Sequence, residues 1–460
     1  MPVFPLLPPA IRLRPAFVLL VLLSAATSGP AADRPDQDEA RVIHSILDRW
    51  VDACGGAKTL RRRETVEYHL QVSVNPARPA LEMTAVARAG GPYRQTITLP
   101  GPLTLVEAYD GRTGWVQSDA VGFGLLSRAE AERTARENDP RLPLEVLQRY
   151  HDLRLLPEDY PAGGPLRGIE LTDAAGLKET WFFSRSSGQR VRLERREAAN
   201  TVVLEFMDFR PTEQGIEPSR MRRTQNGQQT NIEIVSVHYN RRVDQDSFAP
   251  PEKLLRDYRE SERILQHYVQ ACGGDAIGRI RTAVTKATVE ISSAGMKYPA
   301  TMTQKLPNLV LNENEIPGMG AFLQGFDGQT GWAWAEMQGY RELKGAELLQ
   351  LLSSADLHSA LHLRSKLPLR RLLGERVIGG RRALGLVLGT VQGSAGSHYF
   401  DAETGQLLQV ESNITAGPQG QLKVTVDFSD FRTVDGIVLP FVTVMTNPAM
   451  RIVTTILSVQ

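Results

Sequence analysis

The stretch Ile46-Leu47-Asp48-Arg49-Trp50-Val51-Asp52-Ala53-Cys54-Gly55-Gly56 returns as Ile264-Leu265-Gln266-His267-Tyr268-Val269-Gln270-Ala271-Cys272-Gly273-Gly274, 218 residues later. Its first half carries apolar residues at three- and four-residue steps: Ile43, Ile46, Leu47, Trp50, Val51 and Cys54. That spacing predicts one apolar face of a helix. The glycine pair suits a left-handed C-terminal cap, so the shared CGG reads as a helix stop rather than a reactive-cysteine motif.

Further matches lie outward from this one. Tyr109-Asp110-Gly111-Arg112-Thr113-Gly114-Trp115 corresponds to Phe326-Asp327-Gly328-Gln329-Thr330-Gly331-Trp332, and Phe183 to Gln189 corresponds to Phe400 to Gln406, both at an offset of 217. Asp208-Phe209-Arg210 corresponds to Asp430-Phe431-Arg432 at an offset of 222. Four matches in one order define a repeat of a whole domain, far longer than a solenoid unit. The expected modules are 33–250 and 251–460, with the boundary at Ala249-Pro250-Pro251.

Strand signals follow each opening helix. Leu422, Val424, Val426 and Phe428 alternate with Lys423, Thr425 and Asp427, and Val202, Leu204 and Phe206 form the matching set. Period-two alternation predicts one face in a core and one in water. Asp110-Gly111 and Asp327-Gly328 predict hairpin turns. Helical inserts are expected at Ser127 to Leu153, with Ser127 and Glu130 as a capping box and Pro140 and Pro143 splitting it, and at Gly345 to Leu363. The predicted order per module is helix, about five strands, a helical pair, then about six strands. Such a run of hairpins gives a strongly curved antiparallel sheet, an α+β but mainly β fold, whose apolar inner face needs a helical cover.

Residues 1–32 have a separate composition. Arg12 and Arg14 precede the apolar run Ala16 to Ala26, and small residues follow at Ser28, Gly29, Ala31 and Ala32. This is the order of a cleaved secretory signal peptide, and it predicts a periplasmic or secreted chain. The basic and acidic residues nearly cancel, 53 against 52, which gives no footprint for nucleic acid. Cys54 and Cys272, the two cysteines, read as buried helix residues. Export leaves a bridge between them open.

With its signal segment, opening helix, YDG-x-TGW and FDG-x-TGW turns, and the run Asp430-Phe431-Arg432 to Asp435-Gly436-Ile437-Val438-Leu439-Pro440, the chain resembles the LolA-like superfamily of periplasmic lipoprotein carriers and outer-membrane lipoprotein-sorting proteins. The resemblance covers nearly the whole mature chain, twice. It implies two tandem unclosed β-barrels, each with an N-terminal helix and a helical lid over an apolar cavity for acyl chains. The expected partners are lipid or lipoprotein acyl chains, with an envelope protein partner and peripheral membrane contact also open.

The expected cavity and lid residues are Leu126, Val146, Leu147 and Trp115 in the first module, and Trp332, Leu348, Leu349, Leu352 and Leu357 in the second. The second module, with its cleaner motifs and leucine-rich lid, is the expected binding module. Trp115, Trp181 and Trp332 read equally as core aromatics. His358 and His362 share a helix face but lack the third ligand of a zinc site. There is no G-x-S-x-G elbow, P-loop or dinucleotide fingerprint. The expectation is a protein without catalytic residues, metal or cofactor. The alternative is an interaction module with filled cores that binds a protein partner.

Overall fold

A computed structural model describes residues 37–74, 79–99, 101, 103–157, 165–197, 200–225, 227–391, 393–415 and 421–460. The expected signal segment 1–32 lies outside the described residues. The described chain forms two compact units, one of residues up to 120 and from 124 to 251, the other of 252–460 with Val121–Phe123.

The first unit opens with helix α1 (Gln37–Ala53) and a short α2 (Ala57–Arg61). Ile43, Leu47 and Trp50 form the buried stripe of α1, on the face set by their spacing. Six strands follow in the chain: β1 (Thr65–Ser73), β2 (Leu81–Arg88), β3 (Tyr93–Leu99), β4 (Leu103–Tyr109), β5 (Gly114–Ser118) and β6 (Gly122–Leu125), whose first two residues fall in the second unit. Helices α3 (Arg128–Asn138) and α4 (Leu142–Arg149) interrupt them. Ser127 and Glu130 close α3 as a reciprocal capping box. Seven more strands complete the unit: β7 (Tyr150–Leu155), β8 (Leu166–Asp173), β9 (Lys178–Ser184), β10 (Arg190–Glu197), β11 (Asn200–Thr212), β12 (Gly215–Gln225) and β13 (Gln228–Tyr239).

All pairings among these strands are antiparallel, in the order β7-β8-β9-β10-β11-β12-β13-β1-β2-β3-β4-β5. The last strand thus pairs with the first. Among the described residues no ladder joins β7 back to β5, so the sheet is an open barrel.

The second unit has the same order. It comprises α5 (Glu252–Ala271), six strands from β14 (Thr282–Ile291) through β15 (Met296–Lys305), β16 (Leu309–Ile316), β17 (Gly320–Phe326), β18 (Gly331–Ala335) and β19 (Gly339–Glu342), then α6 (Gly345–Ser354) and α7 (Ser359–Lys366). Seven strands follow: β20 (Leu369–Ile378), β21 (Arg381–Gly389), β22 (Ala395–Asp401), β23 (Leu407–Thr415), β24 (Gln421–Val434), β25 (Ile437–Thr446) and β26 (Arg451–Val459). They run β20 to β26 in sequence, then β14 to β19, with β26 paired to β14.

Six strands precede each insert and seven follow it, against the expected five and six. The undercount has a physical source: β6 has four residues and β7 has six, too few for alternation to stand out. The first insert also ends at Arg149 rather than near Leu153, because Tyr150 already starts β7.

The repeated DFR motif puts a left-handed residue into a ladder whose register is unbroken. Asp208 and Asp430 sit at φ +52° and +53°, and the ladder skips both: Met207 and Phe209 face Arg220 and Pro218, as Ser429 and Phe431 face Val442 and Pro440. Aspartate tolerates this left-handed conformation better than most residues. Phe206 and Phe209, three apart on either side of Asp208, both line the cavity of the first unit.

The CGG stops are close-approach sites. Gly55 (φ +106°) would place a Cβ 2.8 Å from the Gln214 carbonyl oxygen, and Gly273 (φ +122°) would place one 2.7 Å from that of Gly436. Each helix end thus rests on the turn of a hairpin, β11–β12 in one unit and β24–β25 in the other. Gly55→Ala is expected to cost about 2–3 kcal/mol, and Gly273→Ala a similar amount. Gly278→Ala, where φ is ordinary and space is open, should stay within about 0.5 kcal/mol. Urea unfolding midpoints of the three variants check this.

Candidate functional site

The first unit encloses a cavity of about 370 Å³. That lies within the range of about 300–1,000 Å³ typical of small-molecule sites. One wall is the inner face of the sheet, read at period two: Leu70 and Val72 on β1, Met83 and Ala85 on β2, Leu204 and Phe206 on β11, Ile232 and Ile234 on β13. The other wall is helical. Trp50 and Cys54 come from α1, Arg133, Thr134 and Glu137 from α3, and Leu142 from α4. The cavity is therefore greasy along the sheet and charged beneath the helical insert.

The charges are mostly spoken for. Arg63 donates from Nη1 to Glu217 at 3.0 Å, and from Nη2 to the carbonyls of Gln214 and Cys54 at 2.6 and 3.1 Å. Tyr239 Oη donates to the same Glu217 at 2.6 Å. Arg195 binds Glu137 directly and stands 3.9 Å from Glu179. Burial pushes the Glu137 carboxyl up, and Arg195, aided by Arg133, more than reverses it, holding Glu137 low. Glu179 goes the other way. Burial and the Glu137 charge raise it, and its Oε2 accepts the Trp181 indole N–H at 2.7 Å. The shorter contact decides which acid keeps Arg195.

Arg190 stands apart. Its guanidinium lies 4.5 Å from the Trp181 ring centroid, 5.0 Å from Trp50 and 4.9 Å from Phe206. Trp50 and Trp181 meet edge to face at 5.6 Å. A register shift between Arg190 and Arg192 turns Arg190 toward the cavity beside Leu193 and Arg195.

None of the residues expected to line the first module's cavity does so. Val146 and Trp115 are buried in the core, and the Trp115 indole donates to the Phe248 carbonyl at 2.9 Å. Leu126 packs against the cluster of Tyr109 and Ala131, and Leu147 is 49% exposed. Leucine content marks helix faces, and these faces turn to the core or to water rather than to the cavity. In the second unit, Leu348 and Leu352 pack on a core of Val310, Phe326 and Leu351. Trp332 is half-buried across from Gly325, Leu357 is half-buried and Leu349 is 56% exposed.

The remaining motifs are structural. Asp110 Oδ1 accepts the backbone N–H of Arg112 and Thr113, both at 2.7 Å, and Asp327 does the same for Gln329 and Thr330 at 2.8 and 2.7 Å. Those bonds hold the Asp327 carboxyl below its usual range. His358 meets the Ile280 carbonyl at 3.0 Å, and His362 meets Asp356 at 2.9 Å. Cys54 and Cys272 are free thiols, pushed by burial up to about 12 and about 11. Among the described residues no helix is long and apolar enough to cross a membrane.

No family model matches the sequence, and no curated protein matches it. Solved structures similar to the chain include a LolA superfamily protein from Nitrosomonas europaea, at 15% identity over 45% of this chain and 97% of that one, TM-score 0.33. A structure described as an outer-membrane lipoprotein-sorting protein domain, from Vibrio parahaemolyticus, matches at 13% identity over 44% and 92%, TM-score 0.32. A DUF1329 family protein from Desulfovibrio piger matches at 12% identity over 43% and 92%, TM-score 0.33. The class defined by the strand order itself is an open antiparallel barrel covered by a helix and a helical insert.

Two outcomes test this electrostatic account. The raised Glu179 pKa means that the folded state favours the protonated acid. Its contribution is full below the unfolded pKa and is lost as pH rises through the folded one. Glu179→Gln, permanently neutral, should therefore melt at a higher temperature than the native chain at pH 7 and not below about pH 4, read from melting curves at both pH values. Separately, iodoacetamide at pH 8 should leave both cysteines unmodified in the native chain and alkylate both in urea, as mass spectrometry would record.

Proposed function

We propose that this chain is a periplasmic carrier or chaperone that holds acyl chains of lipids or lipoproteins in the cavity of its first unit. The observation that supports this most is the contrast between the cavity walls. An aliphatic and aromatic sheet face meets a charged rim beneath the insert, which suits a molecule with a tail and a polar head. Each CH₂ of a tail moved from water onto such a wall contributes on the order of 0.8 kcal/mol. The sheet is open, and the cover consists of separate helices, so a ligand has a route that does not require unzipping a barrel. Periplasmic residence rests on the composition of residues 1–32. No catalytic role is assigned.

The two units support different roles. In the second, lid leucines Leu348, Leu351 and Leu352 press onto Val310 and Phe326, the arrangement of a filled core. This favours a docking or scaffolding role for that unit, which brings in the partner-binding alternative for half of the chain.

Ala85 lines the cavity from β2. Ala85→Trp should fill much of the space and weaken binding of a fluorescent long-chain fatty acid by at least about 10-fold, while the circular dichroism spectrum stays native. Undiminished binding by a folded Ala85→Trp chain counts against the cavity as the acyl site.

A further inference from the structure

The cavity's arginines differ in one respect that bears on ligand choice. Arg63 and Arg195 are bound to Glu217 and Glu137, and Arg223 donates to Gln225 at 2.7 Å. Arg190 has neither an ion pair nor a side-chain hydrogen bond among the described residues. Its guanidinium lies against the rings of Trp50, Trp181 and Phe206. Rings attract a guanidinium through its faces and satisfy none of its five N–H donors. Burial without an ionic partner lowers the Arg190 pKa, with Tyr150 and Glu179 offsetting this in part. The Glu179 and Glu137 carboxylates act on it from a distance, and neither is bound to it.

The repeat sharpens the point. Arg190 pairs with Phe183 beside a register shift, and Leu407 pairs with Phe400 beside the same shift in the second unit. The residue at that place in the second unit is an apolar one, packed against Phe400 and Leu386. The position faces inward in both units, and the architecture accommodates leucine there. An arginine at such a place imposes a desolvation cost that the fold does not require.

From this placement we propose that Arg190 anchors the oxyanion headgroup, carboxylate or phosphate, of an amphiphile whose tail lies along Leu204, Phe206 and Met221. The inference rests on the cavity reading above and adds the charge class of the ligand. The three rings hold the guanidinium by contacts that use none of its N–H donors, so two parallel donors can be given to an oxyanion. The tail then follows the inner face of β11 and β12, which carries the apolar lining.

The test uses the full chain and four probes: oleate, oleoyl lysophosphatidic acid, the neutral monoolein, and inorganic phosphate. Binding is read by tryptophan fluorescence, since Trp50 and Trp181 flank the anchor, and by calorimetry. The native chain should bind at least one of the two acidic amphiphiles about 10- to 100-fold more tightly than monoolein. Arg190→Leu, which installs the second unit's residue, should remove that preference, so that acidic and neutral amphiphiles bind alike. Arg190→Lys should retain part of it, and it also serves if the leucine variant is unstable. Whichever acidic probe is preferred identifies the headgroup source. Equal binding of acidic and neutral probes, or acidic binding untouched by Arg190→Leu, overturns the anchor and leaves the cavity reading standing. Inorganic phosphate displacing an acidic amphiphile supports a headgroup-driven site. Binding of none of the amphiphiles overturns the cavity reading and the anchor with it.

Discussion

The contact on which the first unit depends is the seating of a helix end on a hairpin turn. Gly55 lets the end of α1 approach the Gln214 carbonyl, and Arg63 binds that carbonyl, the Cys54 carbonyl and Glu217 together. The arginine is 4% exposed, so this bond set forms away from water, where it is strong and where losing one member leaves others unsatisfied. It holds the helix at a fixed height over the sheet. The space beneath α1 and the insert follows from that height. A helix free to sink would fill the space with its own side chains. The same helix stop recurs in the second unit, where Gly273 rests on Gly436 and the Val438 N–H donates to the Cys272 carbonyl at 3.1 Å.

The two units share strand order, bulges and helix stops and differ in what they place inside. The first places charge in an apolar enclosure: Arg195 between Glu137 and Glu179, and Arg190 among rings. Buried ions seldom add stability over well-packed apolar residues. The leucines of α6 show the cheaper solution in the same architecture. A fold that admits both fillings does not set function by its backbone, and the side chains of the inner face do.

Much of the fold was legible in the sequence. The CGG stops, the Asp-Gly turns, the capping box and the repeat were all readable because each depends on interactions within a few residues. Asp110 binds the backbone two and three positions on, and glycine adopts positive φ wherever it sits. The cavity was not legible in the same way. Trp115, Val146 and Leu126 were plausible lining residues on composition, yet they belong to cores. A bulge near Arg190 shifts the inward phase by one, and Asp208 breaks the extended backbone before Phe209, so strict alternation assigns Arg190 and Phe209 to the wrong side. A clue was present: at the place of Leu407 the first repeat carries Arg190, a charge where the pattern calls for an apolar residue.

The helix stops, the capping box and the Asp-Gly turns were determined by the sequence alone, since local sterics and backbone hydrogen bonds decide each within a short window. Which faces meet, and whether the enclosed space is filled or left open, was decided only in the tertiary structure. Strands from β1 to β13, far apart in the chain, converge there, and a one-residue bulge changes which side chains they bring.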